Sequence, residues 1–238
     1  MSSHQQSQFV SFRLPASDFQ AGAVDFASPG PRQAGANDNA LWANGWPKRA
    51  LDVAIAGVVL FIVSPFLLVV ALLIRLDSKG PILFRQTRRG RSGRPFDILK
   101  FRTMTVLEDG DHIVQARPGD ARHTRVGRWL RAYSIDELPQ LINVLRGEMS
   151  LVGPRPHARA HDAYYGKRIA QYEERQVVKP GLTGWAQVNG LRGPTPTDEV
   201  MARRVDLDVW YAAHASLRLD LKILLRTPLE VLRGRNAC

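Results

Sequence analysis

The chain has 238 residues, of which 45% are apolar, enough for a sizeable core and too many for a wholly disordered protein. Its 33 Lys and Arg residues outnumber its 22 Asp and Glu residues and give a net charge of +11. This excess favours partners that carry phosphate groups, namely nucleic acid, anionic lipid or a nucleotide. The single cysteine, Cys238, excludes an intramolecular disulfide framework and a cysteine-rich zinc module.

Residues 1–46 differ in composition from the rest of the chain. They are rich in Ser, Gln, Ala, Gly and Pro, carry few charges and show no hydrophobic period. A segment of this kind buries too little apolar surface to offset the entropy of ordering it. We therefore expect a disordered N-terminal tail.

Residues 53–74 form an uncharged apolar segment that is long enough to cross a bilayer as a helix. Ser64 and Pro65 lie near its middle, where a proline favours a kink. Basic residues flank both ends, so the positive-inside rule favours neither orientation. A hairpin that enters and leaves through one leaflet and an ordinary kinked transmembrane helix both fit these residues. A buried core helix fits less well, because the segment has no polar face.

The rest of the chain alternates short strand-like and helical patterns, which predicts an α+β fold. Strands are predicted at 81–86 and 95–104. Helices are predicted at 135–146, 157–176, 197–213 and 216–233. The last helix mixes leucines with Arg and Lys, a pattern that suits either a helix at the membrane surface or one packed on the core.

The basic excess is concentrated between Arg75 and Arg131, which hold fourteen Lys and Arg residues against six Asp and Glu. This stretch directly follows the apolar segment and contains glycine-rich turns, which suits anionic headgroups or a polyprenyl phosphate. Nucleic-acid binding would need an aromatic stacking platform or a recognition helix. Neither pattern is present in the sequence, so we expect no nucleic-acid partner.

Residues 131–156 allow two interpretations. Ser134 and Glu137 match the S-x-x-E capping box, which would make the acidic residues a helix cap only. Alternatively, Asp136 could attack phosphorus as a nucleophile while Glu137 holds Mg²⁺. The flanking Arg131 and Arg155 could then neutralise charge on the phosphoryl group. Both interpretations can hold at once.

The histidines show no metal-ligand spacing. His157 and His161 stand four residues apart but lack the HExxH pattern of a zinc-binding helix. We expect His112, His123, His157 and His161 to be surface residues.

Several sequence blocks occur in one order along residues 47–233. They are KRALD (48–52), the apolar segment with Ser64-Pro65, GPILFRQTRRGRSGRPF (80–96), KFRTM (100–104), RAYSIDELPQLINVLRGEMSLVGPRP (131–156) and PGLTGWAQVNG (180–190). In these blocks the chain resembles the monotopic phosphoglycosyl transferases, bacterial sugar transferases that begin exopolysaccharide or glycan assembly on a lipid carrier.

This resemblance implies a reaction and a set of site residues. Asp136 would attack the β-phosphate of a UDP-sugar, displace UMP and hold the phosphosugar covalently, and undecaprenyl phosphate would then accept it. Glu137 would bind Mg²⁺. The residues implied to bind phosphate or substrate are Lys100, Arg131, Arg155 and Arg88. The block at 180–190 would lie near the nucleotide or sugar, unless it is a turn whose Trp185 packs on the core.

The resemblance also implies an architecture. Residues 47–76 would form a re-entrant membrane helix broken at Ser64-Pro65, and residues 77–238 a catalytic domain with surface amphipathic helices. That domain would lie on the cytoplasmic face of the bacterial inner membrane, in contact with its lipid, and a homodimer is allowed. UDP-glucose or UDP-galactose is the favoured donor by analogy. The alternative is a membrane-anchored basic adaptor that binds anionic lipid without catalysis.

Overall fold

The computed structural model describes residues 42–105, 120–195 and 197–232. Most of the predicted tail, residues 1–41, therefore lies outside the described residues. Inside the predicted tail, residues 42–44 are helical, Ala43 is buried, and Trp42 donates a hydrogen bond from its indole to Asp220. Described structure thus begins before the membrane segment.

The apolar segment forms one helix, α1 (Trp46–Asp77), of 32 residues. By length and composition it could cross a membrane. We expected a break at Ser64-Pro65, but the helix runs through both residues. A proline cannot donate to the carbonyl four residues earlier, here that of Phe61. The Ser64 hydroxyl donates to this carbonyl at 2.9 Å, which explains how the helix continues.

Two small sheets follow, and the two predicted strands are confirmed with shifted bounds. Strands β1 (Leu83–Arg89) and β2 (Pro95–Phe101) pair antiparallel. Strands β3 (Ser150–Val152) and β4 (Gly181–Thr183) pair parallel. The described residues therefore form the mixed helix and sheet fold that the sequence pattern predicts.

The remaining helices are α2 (Arg125–Ala132), α3 (Gln140–Arg146), α4 (Arg159–Tyr165), α5 (Trp185–Val188), α6 (Asp198–His214) and α7 (Leu217–Leu232), with 3-10 turns at Ile135–Glu137 and Tyr172–Val177. Two predicted helices, 197–213 and 216–233, are confirmed as α6 and α7. The helix predicted at 135–146 is divided between a 3-10 turn and α3. The one predicted at 157–176 is divided after Tyr165.

Polar contacts attach the N-terminal end of α1 to the globular part. The Lys48 ammonium pairs with the buried carboxylate of Asp220 at 2.5 Å. Arg49 donates to the last carbonyls of α3, and Asp52 accepts from the backbone N–H of Leu151 in β3 at 3.1 Å. The KRALD block therefore fixes the long apolar helix α1 to the rest of the fold.

Arg102 closes the other end of α1. Its guanidinium donates to the carbonyls of Ser78 and Lys79, both at 2.6 Å, and to that of Ile74. These groups lie where a helix leaves its last carbonyls without partners. Gly80 adopts φ +128°, and a Cβ there would meet the Arg102 guanidinium at 2.0 Å, so only glycine fits.

Both halves of α1 also bury apolar side chains against the globular part. Ala56 belongs to the main core, which β2, α3 and β3 help to build. Val70 and Ile74 pack in a second cluster with Phe101 and Leu130. Between these regions, residues 57–69 contain no buried side chain. The middle of α1 therefore exposes much of its apolar surface, although Val59, Leu60 and Leu67 pack partly against the two clusters.

Three glycines bring the loop after β3 against the segment around β4. A Cβ on Gly181 would lie 2.1 Å from the backbone nitrogen of Gly153. A Cβ on Gly184 would lie 2.2 Å from the carbonyl oxygen of Gly153. Backbone atoms cannot move away as a flexible side chain does, so this approach requires glycine. The GPRP and PGLTG blocks are thus held together by their backbones.

We predict that Lys48→Met destabilises the protein by about 3 kcal/mol, because it leaves the buried Asp220 carboxylate without its cation. Chemical denaturation in a detergent micelle measures the change. Lys79→Met is the matched control, since Lys79 is exposed and such substitutions alter stability by roughly 0.5 kcal/mol or less. Equal stability of the two variants would contradict the anchoring role of Lys48.

Candidate active site

The acidic pair lies in the short 3-10 turn Ile135–Glu137, between α2 and α3. Both carboxylates are shielded from water, with Asp136 6% exposed and Glu137 9% exposed. Two adjacent buried acids carry a large desolvation penalty unless cations compensate them. The surroundings of each acid therefore decide what the pair can do.

Glu137 is enclosed by two cations from distant segments. Arg155, in the loop after β3, donates one N–H to each carboxylate oxygen, with Nη1 to Oε2 at 2.9 Å. Lys100, on β2, donates to Oε1 at 2.7 Å. Planar two-bond pairing of this kind is the strongest geometry available to arginine and carboxylate.

These contacts change the acidity of all three groups. Burial acts to raise the pKa of Glu137, but the charges and hydrogen bonds of Arg155 and Lys100 hold that pKa well below its ordinary value. Glu137 in turn raises the pKa of Arg155. Burial is the largest influence on Lys100 and lowers its pKa, against the opposing charge of Glu137. Glu137 is thus a permanently ionised acid whose charge is already balanced.

Asp136 is in the opposite situation. No hydrogen bond reaches its carboxylate from any residue in the three described ranges. Burial raises the pKa of Asp136 to about 6, and Glu137 adds to the rise, while Lys100, Arg131 and Arg155 oppose it. At neutral pH this side chain is therefore an ionised, poorly solvated and unpaired carboxylate, which is the form that a nucleophile requires.

The predicted phosphate-binding residues fall into two groups. Lys100 and Arg155 bond Glu137 directly, as described. Arg131 acts on the pair through its charge, which lowers the pKa of Asp136. Arg88 lies close enough for its charge to lower the pKa of Lys100, and its guanidinium donates to the carbonyl of Pro156 at 3.4 Å and to Gln86. Lys100, Arg131 and Arg155 thus act on the acidic turn directly, and Arg88 lies close to Lys100.

Arg192 joins this site without having been predicted. Its guanidinium donates to the hydroxyl of Ser134, directly before the acidic turn. Burial is the largest influence and leaves the pKa of Arg192 below its ordinary value, although the charges of Glu137 and Asp136 oppose this change. The signal in the sequence was Gly190, two residues earlier, which adopts φ +86° and turns the chain at the end of the PGLTGWAQVNG block. That block was expected near the substrate, and Arg192, two residues beyond its end, lies at the acidic turn.

The capping-box interpretation is wrong. Ser134 adopts a left-handed conformation with φ 54° and makes no side-chain cap to the turn that follows. Its hydroxyl instead accepts from Arg192, and Glu137 reaches Arg155 and Lys100 rather than the backbone of Ser134. The residues of the motif are engaged in the site, which leaves none of them for capping.

One histidine expectation is also wrong. His157 was predicted at the surface, but it is 5% exposed and its Nδ1 lies 2.6 Å from the hydroxyl of Tyr172. Burial, followed by the charge of Arg175, holds the pKa of His157 well below its ordinary value. His157 follows Pro156 in the loop that carries Arg155, and it is part of the packing behind that loop. His112 lies outside the described residues.

Asp136 and Glu137 are the acids available to a metal ion at this site. Nowhere in the described part of the chain are three or more His, Cys, Asp or Glu side chains grouped to hold a metal. Mg²⁺ commonly binds one or two carboxylates and takes its other ligands from water and substrate phosphates. The pair therefore fits Mg²⁺ bound together with a phosphate-bearing substrate, and it does not fit a closed structural zinc site.

Comparison with known proteins gives several extensive matches. A "UDP-glucose:undecaprenyl-phosphate glucose-1-phosphate transferase" from Caulobacter vibrioides is 58% identical over 190 residues, covering 80% of this chain and 71% of that protein. A protein of the same name from Escherichia coli is 50% identical over 180 residues, covering 76% of this chain and 39% of that protein. An "Exopolysaccharide production protein PSS" from Rhizobium leguminosarum is 44% identical over 194 residues, covering 79% of this chain and 97% of that protein.

The coverage of these relatives differs. The chain spans most of the Caulobacter and Rhizobium proteins but well under half of the E. coli protein. The family model described as "Bacterial sugar transferase" matches residues 43–234, which include the acidic turn and every cation around it. Because this match covers far more than half of the sequence, the chain belongs to the bacterial sugar transferase family.

Proposed function

We propose that this protein transfers a hexose-1-phosphate from a UDP-sugar to undecaprenyl phosphate, releases UMP and so begins exopolysaccharide assembly. The observation that carries the proposal is Asp136, a buried carboxylate without a hydrogen-bond partner among the described residues, beside a neighbour whose charge is already balanced. Relatives at 58% and 50% identity bear names that specify this reaction with UDP-glucose. UDP-glucose is therefore the favoured donor, ahead of UDP-galactose.

The proposed chemistry has two phosphoryl-transfer steps. A carboxylate oxygen of Asp136 forms a bond to the β-phosphorus, and the bond between that phosphorus and the bridging oxygen breaks. UMP leaves with the bonding electron pair, and the hexose phosphate stays on Asp136 as an acyl phosphate. An oxygen of undecaprenyl phosphate then attacks the same phosphorus and restores the Asp136 carboxylate. Both nucleophiles are anions at neutral pH, so neither step requires a general base.

The cations around the turn supply the charge compensation for these steps. Each step exchanges one phosphate linkage for a similar one, so little driving force is needed from the protein. The remaining tasks are positioning and neutralisation of the charge that develops on phosphoryl oxygens. Lys100, Arg131, Arg155 and Arg88 serve this purpose, and Arg192 adds a fifth positive charge at the same turn.

Mg²⁺ is proposed as the metal of this reaction, with Glu137 as its protein ligand. Oε2 of Glu137 takes a single hydrogen bond, from Arg155, so that oxygen keeps a lone pair for a metal. When bound, Mg²⁺ supplies charge neutralisation at the diphosphate. Arg155 and Lys100 hold the carboxylate in place for this role.

A re-entrant course of α1 is supported by the contacts of its two ends. A straight helix would separate Lys48 from Ile74 by about 39 Å, more than the hydrocarbon thickness of a bilayer. Yet Lys48 and Ile74 both contact the globular part, through Asp220 and Arg102. Pro65, which lies between them, is the place for a bend. We place both ends, and the active site with them, on the cytoplasmic side of the inner membrane.

Helix α7 provides a second proposed contact with lipid. Ile223 is fully buried and Asp220 is 1% exposed, so one face packs on the core. The other face exposes leucines at every fourth position, namely Leu217, Leu221, Leu225 and Leu229. Basic residues lie between them, which is the pattern of a helix at a membrane surface. In this proposal one face of α7 packs on the core and the opposite face lies at the membrane surface.

We predict that Asp136→Asn lowers UMP release by roughly 1,000-fold or more, because the amide cannot form the acyl phosphate. Purified protein in nanodiscs, with Mg²⁺, undecaprenyl phosphate and a panel of UDP-sugars, provides the assay. Asp206→Asn is the matched control, since Asp206 is an exposed acid on α6. Retained turnover in Asp136→Asn would exclude the proposed nucleophile. Absence of UMP release from the wild type with every donor, alongside retained binding to anionic vesicles, would favour the adaptor function.

The pH dependence of the first step should follow Asp136. Its pKa of about 6 is raised by burial above the ordinary value, so the reactive ionised form is lost as the pH falls through 6. We predict that kcat/KM for the UDP-sugar is constant near pH 8 and falls about tenfold per pH unit well below pH 6. The value of kcat/KM for the UDP-sugar depends on the ionisation of the free enzyme and of the UDP-sugar. Titration of the lipid phosphate therefore does not contribute to this profile. A profile that stays flat to pH 5 would contradict the raised pKa.

The topology is tested by labelling single cysteines in a Cys238→Ser background. Asn44→Cys and Lys79→Cys introduce thiols at exposed positions beyond the two ends of α1. If the helix is re-entrant, a membrane-impermeant maleimide should label neither thiol in intact spheroplasts and both after lysis. Labelling of one position in intact spheroplasts would establish a spanning helix instead.

A further inference from the structure

The loop that carries Arg155 has an unusual backbone. Pro154 and Pro156 flank Arg155, and each fixes its own φ and lacks an N–H. A residue before proline is also restricted to extended conformations, which applies to Arg155 itself. The loop therefore has few N–H groups with which to anchor itself. Its carbonyl oxygens remain the main points of attachment.

A buried arginine holds the carbonyl of Arg155. Nη2 of Arg175 donates to this oxygen at 2.5 Å, and the Arg175 side chain is 4% exposed. The hydrogen bond fixes the plane of the peptide between Arg155 and Pro156, and with it ψ of Arg155. Because φ is already restricted, the direction in which the Cα–Cβ bond of Arg155 leaves the backbone is then fixed. That side chain reaches Glu137 with two hydrogen bonds.

Asp208, on α6, holds Arg175 in turn. Its Oδ2 accepts from Nε at 2.9 Å and from Nη2 at 2.7 Å, and Asp208 is 1% exposed. Burial is the largest influence and acts to lower the pKa of Arg175, but Asp208, Tyr172 and Asp162 together outweigh it and the net change is upward. A third donor, Nη1, lies 3.1 Å from Nδ1 of His157 in the same loop. Every terminal nitrogen of Arg175 is thus directed at the loop or at Asp208.

We propose that Arg175 and Asp208 are positioning residues for the reaction, which set the direction of Arg155 through its backbone carbonyl. The inference rests on the proposed function for its catalytic consequence. A buried ion pair is by itself weak support for stability, since a hydrophobic pair often replaces it without loss. What a hydrophobic pair cannot supply is the donor to the Arg155 carbonyl. The chain Asp208, Arg175, Arg155, Glu137 links α6 to the acidic turn.

The test uses Arg175→Lys in the full-length protein in nanodiscs. Lysine keeps a positive charge beside Asp208 but lacks the planar fork that bonds a carboxylate and a carbonyl together. We expect kcat for UMP release to fall about 10- to 100-fold, the range found when a group that orients a site residue from behind is changed. KM for the UDP-sugar should change far less. Arg168→Lys is the matched control, because Arg168 is exposed and lies 3.8 Å from the exposed Asp198.

A double-mutant cycle with Arg155→Lys separates positioning from general damage to the fold. The contact between Arg175 and Arg155 involves only the backbone carbonyl of Arg155. A change in the Arg155 side chain therefore leaves that contact in place. If Arg175 acts through the Arg155 side chain, its substitution should lower kcat less than about threefold in the Arg155→Lys background. Additive losses in kcat, or an equal loss in Arg168→Lys, would overturn the inference.

The same four proteins of the double-mutant cycle can be compared by their thermal unfolding midpoints, a measurement that needs no donor sugar. Positioning predicts that Arg155→Lys lowers the midpoint less when Arg175 is already lysine, since the ion pair with Glu137 is then already weakened. Additive midpoint shifts would overturn the inference even in a protein that turns over none of the tested donors. Absence of wild-type UMP release would overturn the proposed function, and the unfolding cycle would still decide the role of Arg175.

Discussion

The buried charge of Glu137 is the constraint on which the rest of the structure depends. A carboxylate that is 9% exposed must be paired, and its two cations come from β2 and from the loop after β3. Losing one partner of such a group costs about 3–5 kcal/mol. The fold therefore has to bring three separate segments to one point. Because Lys100 and Arg155 both bond Glu137, the Asp136 carboxylate has no hydrogen-bond partner among the described residues.

The long apolar helix α1 is attached to the segments that carry these cations. Lys100 is on β2, and Arg102, two residues later, closes the C-terminal end of α1. Near its N-terminal end, Asp52 bonds β3, and Arg155 follows that strand directly. Each end of α1 is thus joined to a segment that carries one partner of Glu137. Movement of α1 relative to the globular part would therefore displace the two partners of Glu137.

Local patterns predicted the longer elements, namely β1, β2, α6 and α7, and missed the short ones, such as β3 and β4. The alternation around β2 and the period of α6 needed no information from the rest of the chain. The residues allowed both a helix through Pro65 and a break there, and the family resemblance favoured the break. The helix continues because the Ser64 hydroxyl replaces the missing hydrogen bond to the Phe61 carbonyl. The site was predicted in part, since Lys100 and Arg155 stand in blocks that resemble a known family. Arg175 and Asp208 were missed because their contact joins positions 33 residues apart through side chains with no local signature.

The central claim is that Asp136 carries the phosphosugar covalently. The most direct measurement mixes the protein with Mg²⁺ and UDP-glucose in the absence of undecaprenyl phosphate and follows UMP and the mass of the peptide that contains Asp136. A covalent route predicts a burst of UMP of about one equivalent per site and a matching mass increase on that peptide. Direct transfer between two bound substrates predicts no UMP and an unmodified peptide until the lipid is added, and that result would contradict the account.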